Sequence, residues 1–165
     1  MRTDIDLSTF TETVAASAAD VFKECGEVLP MAHAITRNGE TLIIGCPWGD
    51  ENEKIKVIKA LRELFRQADV TRYALITEAW TLMGGAAERY AKAGMPGAVS
   101  EQEDRRECLY VQAEDASGEN ISHVQFILRP EHGKPTLSAP VVNHCDSGQS
   151  EGRLSGLLGR PAASH

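Results

Sequence analysis

Asn38-Gly39 stands between two short apolar runs, Met31 to Thr36 and Glu40 to Cys46. Asn and Gly both accept positive φ, and between such runs they are a strong short-range mark of a β-hairpin. The hairpin commits this part of the chain to an antiparallel sheet, whose apolar face must be covered by other elements. Pro30 keeps any preceding helix from running into the first strand, and Pro47-Trp48-Gly49-Asp50 breaks the chain after the second.

Helical patterns flank the hairpin. Thr9 and Glu12 have capping-box spacing, and Phe10, Val14, Ala18, Val21, Phe22 and Cys25 fall on one face of a 3.6-residue period, so the spacing predicts a helix over 9–25 ended by Gly26. Asp50 and Glu53 repeat the capping arrangement. After them Ile55, Ile58, Leu61, Phe65 and Ala68 form an apolar stripe, which predicts a second helix over 51–68. A strand is expected over Thr71 to Leu82, with Ala74, Ile76, Trp80 and Leu82 on one face and Tyr73, Leu75 and Ala79 on the other. Apolar residues on both faces mark a covered strand.

Residues 83–104 are rich in Gly and Ala and read as a long loop, with room for one short helix near 86–92. Strands follow over Glu107 to Ala113 and Ile121 to Arg129, joined by Asp115-Ala116-Ser117-Gly118. A last strand over Thr136 to Val142 is confined to an edge by Pro140. Residues 146–165 read as a flexible C-terminal tail with Leu154, Leu157 and Leu158 able to dock. The expected architecture is a single α+β domain over 1–145, with a largely antiparallel sheet of five or six strands and two main helices packed on one face. The order of elements resembles that of roadblock- or profilin-type small domains, which are mostly interaction modules. The likeness is one of order and is carried by no residue motif.

Composition narrows the function classes. The 165 residues are 42% apolar and 25% charged, an ordinary globular balance, with mean hydropathy −0.27. The chain carries 17 basic and 24 acidic residues for a net charge of −7. The adjacent pair Arg105-Arg106 follows Glu101, Glu103 and Asp104, so the clustered basic face of a nucleic-acid binder is missing. No run reaches the roughly 20 apolar residues of a membrane span, and the first residues have no apolar leader. A cytoplasmic protein with reduced thiols is expected, without direct nucleic-acid or membrane partners. Cys25, Cys46, Cys108 and Cys145 form no C-x-x-C pair, and no metal or cofactor motif is present.

Several residues remain as site candidates, each with a plainer alternative. Cys46 ends a strand just before a helix N-terminus, where the helix dipole favours thiolate, yet Asp50, Glu51 and Glu53 occupy the same terminus and oppose it. The alternative is a small buried hydrophobe. His144-Cys145-Asp146 unites three reactive types, but neighbours in an extended segment point opposite ways. Glu78 shares a strand face with Ile76 and Trp80, and burial there would raise its pKa and suit a general acid or ligand anchor. His33 and His123 could join Glu78 only if their strands lie close with matching faces.

Two functional expectations follow. The first is a non-enzymatic interaction or adaptor protein with a protein partner, possibly a second copy of itself, met through a sheet edge or a helix face. The alternative is a small-molecule-binding or catalytic domain with a pocket between the sheet and the 83–104 loop, centred on Glu78 and Trp80.

Overall fold

The computed structural model describes residues 4–82, 84–145 and 156–159. Helix α1 (Leu7–Cys25) starts where Asp6 is extended and its carboxylate accepts the Thr9 N–H at 2.7 Å. The cap is therefore Asp6 and not Thr9, whose own amide is the group being satisfied. Gly26 ends the helix at φ +77°, donating its N–H to the Phe22 carbonyl, as its sequence position predicts.

Strands β1 (Met31–Thr36) and β2 (Thr41–Gly45) form the predicted hairpin. Its turn differs in detail. Of Asn38 and Gly39 only Gly39 has positive φ, and the Thr36 N–H donates to the Glu40 carbonyl to close a loop of Arg37, Asn38 and Gly39. Helix α2 (Glu51–Gln67) begins as read: Asp50 accepts the Glu53 N–H at 2.8 Å, and Glu53 reaches back to the Gly49 N–H.

Strand β3 (Val70–Thr81) leads into helix α3 (Gly85–Lys92) and a 3-10 turn at Val99–Glu101, both inside the segment read as a long loop. Strands β4 (Arg106–Asp115) and β5 (Asn120–Leu128) follow. The single strand expected over Thr136 to Val142 is two strands, β6 (Thr136–Leu137) and β7 (Val141–Cys145). Pro140 lies in the break, where the chain gives up a ladder donor.

All pairings are antiparallel, in the order β2-β1-β3-β4-β5, with β7 and β6 sharing the far border against successive halves of β5. The α+β class and the antiparallel sheet agree with the sequence. The placement of the helices does not: they cover opposite faces. The stripe of α1, including Phe10, Val14, Ala18 and Phe22, packs with Ala74, Ile76, Leu109, Val111, Ala113 and Ile121. Ile58, Leu61 and Phe65 of α2 pack instead with Ala32, Ala34, Tyr73 and Leu75. Alternation is the reason: neighbouring residues of β3 point to opposite faces, and both sets are apolar.

The C-terminal segment contributes to the second core. Leu157 is 1% exposed and packs among the α2 residues, with Leu158 beside it, so the docking expected of these two leucines is present. Leu154 lies outside the described residues.

Candidate functional site

The strand register decides which candidates share a surface. His33 is opposite Ala74, His123 is opposite Val111, and Glu78 is opposite Leu109. Ala74, Val111 and Leu109 all belong to the α1 core, so the two histidines and Glu78 lie on that one face. Sharing a face does not bring them together. Glu78 is four residues along β3 from the partner of His33, about 13 Å at the rise of a strand. His123 is two strands away from β3, which puts it about 12 Å from Glu78. Helix α1 occupies the space between.

Glu78 sits at the end of the sheet where the α1–β1 connection returns. Its Oε1 accepts the Val28 N–H at 2.8 Å, so the carboxylate holds a loop amide that no strand satisfies. Burial raises its pKa, the Val28 bond opposes this, and Glu107 and Glu27 add to the rise while Arg129 lowers it. Arg129 grips Glu107 with two bonds of 2.7 and 2.6 Å, which pull the Glu107 carboxyl below its ordinary value. Trp80 follows on the same face, 46% exposed, with the Arg105 guanidinium 4.9 Å from its ring centre. The result is a half-open acidic corner with two arginines and one tryptophan.

The segment over 84–105 forms a separate cleft of about 260 Å³, lined by Leu82, Arg89, Tyr90, Pro96, Gln102 and Asp104 among others. The Tyr90 hydroxyl donates to the Gly97 carbonyl at 2.8 Å, and Arg89 pairs with Asp104 at 3.1 Å. Neither Glu78 nor Trp80 lines it. Helix α3 buries none of its residues.

The remaining candidates are dispersed. Cys46 is buried, and burial pushes its thiol up to about 11, away from thiolate. Its N–H donates to the Pro30 carbonyl at the end of the hairpin. His33 is half-buried and His123 nearly wholly so, and burial lowers the pKa of each; Glu12 of α1 works against this at His123. His144 is exposed on β7, while the Cys145 side chain and Asp146 lie outside the described residues. Among the described residues no group of three His, Cys, Asp or Glu is placed to hold a metal ion, and no helix is long and apolar enough to cross a membrane.

One polar cluster was missed by the sequence reading. On the α2 face the Tyr73 hydroxyl donates to Glu114 at 2.7 Å, the Gly156 N–H donates to the same carboxylate oxygen at 2.6 Å, and Gln112 donates to Asn120 at 3.1 Å. Its signal was Gln112 and Glu114 alternating with Val111 and Ala113 on β4, two polar residues on a strand face that needed a cover. No family model, no curated protein and no solved structure matches the chain. The likeness to roadblock- and profilin-type domains thus rests on the order of elements alone.

Proposed function

We propose that this protein is a non-enzymatic interaction module that associates with a second copy of itself. The observation that carries the reading is the sheet surface beside α1. The helix lies over β3, β4 and β5, and β1 and β2 extend past it. There Ile43 is 66% exposed, with half-buried Met31, His33 and Ile35 on the neighbouring strand and Leu29, 61% exposed, just before it. A sheet border that no described segment covers, with apolar side chains on it, is a surface that proteins ordinarily protect or use.

The alternative, a ligand or catalytic pocket centred on Glu78 and Trp80, is less well supported. Glu78 is committed to the Val28 amide, Trp80 is stacked under Arg105, and the cleft beside α3 is built from other residues. The histidines that would complete such a site stand on the far flanks of α1.

Light scattering coupled to size exclusion tests the proposal. A mass of twice the 17.9 kDa chain, rising with protein concentration, is expected. A strict monomer across the accessible concentration range would sink it.

A further inference from the structure

The strand at this border has a self-complementary backbone, and we infer that two copies join by antiparallel pairing of β2 with β2 about a two-fold axis at Ile43. The inference rests on the self-association proposed above and names its interface.

In the hairpin the Thr36 N–H donates to the Glu40 carbonyl and the Cys46 N–H to the Pro30 carbonyl. Antiparallel ladders alternate between bonded and non-bonded pairs. With the register Ala34 to Leu42 and Ala32 to Ile44, the even-numbered residues of β2 therefore spend their amides and carbonyls on β1. Those of Thr41, Ile43 and Gly45 point outward, along a border of the sheet that no other described strand pairs. These three positions are symmetric about Ile43. A two-fold axis there sets Ile43 against the second copy's Ile43 and Thr41 against its Gly45, and every outward donor meets an acceptor.

Charge limits where a second copy can meet this one. Each copy carries −7, so two copies repel over most of their surfaces. Residues 41–45 are Thr-Leu-Ile-Ile-Gly, with no charge and no proline, and the nearest acid, Glu40, faces the second copy's Cys46 in this register rather than another carboxylate. Lysines, prolines and bulges normally guard an edge against such pairing, and β2 has none of them. The paired Ile43 side chains fall on the α1 face, beside half-buried Met31, His33 and Ile35 of β1, of which Met31 and Ile35 pack against the α1 core. The opposite border lacks this continuity, being split between β6 and β7 at Pro140.

The test uses the full chain. Ile43→Pro removes only an outward N–H and spares the bonds to β1; Ile43→Lys sets two ammonium groups side by side on the axis. Both are expected to weaken the dimer by about tenfold or more, read by light scattering, with the far-UV circular dichroism of the parent. In a background with Cys25 and Cys145 changed to Ser, Ile43→Cys is expected to give a disulfide dimer on mild oxidation, because paired Cα atoms stand about 5.5 Å apart. Thr41→Cys is expected to give none, since its own copy lies about 14 Å away. A parent dimer untouched by either Ile43 substitution, with no Ile43→Cys cross-link, overturns the interface and leaves self-association standing. A monomeric parent overturns both. A monomer that captures an added uncharged extended peptide, and loses it in Ile43→Pro, also overturns the two-fold and assigns the edge to another chain.

Discussion

The Tyr73 hydroxyl donates to the Glu114 carboxylate at 2.7 Å, and the two residues are direct partners in the β3–β4 register. Both are buried, Tyr73 completely, and the same carboxylate takes the Gly156 N–H. A charged side chain is tolerated there because donors meet it from the sheet and from the C-terminal segment. Tyr73→Phe keeps the ring packed against Phe65, whose centre is 5.2 Å away, and removes both that donor and the acceptor of the Leu157 N–H at 3.4 Å. A loss of about 1–2 kcal/mol is expected in urea unfolding; an unchanged midpoint would show that the bond contributes nothing net.

Leu157 ties the C-terminal segment to the α2 core. Its truncation to Ala leaves a cavity in a fully buried site and is expected to cost about 3 kcal/mol. Ending the chain at residue 155 removes Leu157, Leu158 and the Gly156 N–H together, and is expected to cost more than Leu157→Ala alone in the same titration. Equal stability of the full and shortened chains would contradict this packing.

Glu78 acts through the Val28 amide. Glu78→Gln retains an acceptor and is expected to fold with nearly parental stability, whereas Glu78→Ala strands the amide at a cost of about 1 kcal/mol. Neither is expected to alter the mass in light scattering, since Glu78 lies away from the β2 border. A change of mass in Glu78→Ala would join the acidic corner to the interface.

His33 and His123 both have their pKa lowered by burial, so the unfolded chain binds protons first as pH falls through about 6.5. Their contribution to stability is whole above that value and declines below it. Glu78, raised by burial, works in the other direction, weakening the fold as pH climbs above its ordinary 4.5. The double variant His33→Gln, His123→Gln is expected to flatten the fall in melting temperature between about pH 7 and pH 5.5. An unaltered profile would place the pH response on other groups.

The thiols divide by burial. Cys25 is exposed and is expected to be labelled by iodoacetamide in the native protein. Cys46 and Cys108, each pushed up to about 11, are expected to label only when denaturant opens the core. Peptide mapping by mass spectrometry reads each site separately, and native labelling of Cys46 faster than Cys25 would revive a reactive role for it.

The features legible in the sequence were those set by a few neighbouring residues. Asn38-Gly39, Asp50 with Glu53, and Gly26 mark a turn, a helix start and a helix stop because each satisfies its own local backbone. The two-sided apolar pattern of β3 likewise announced that both faces are covered. What covers each face was not legible, since alternation says that neighbours diverge but not which helix comes to which side. The register across four strands placed His33, Glu78 and His123 on one face and still held them apart, a matter of strand order and spacing that no single segment contains. The docking of Gly156 and Leu157 depends on a carboxylate more than forty residues earlier, and the outward direction of the odd-numbered β2 amides on how the hairpin is bonded to β1. Local backbone chemistry was written in the sequence; the pairing of distant segments, where burial and hydrogen bonding are finally satisfied, was decided by the tertiary structure.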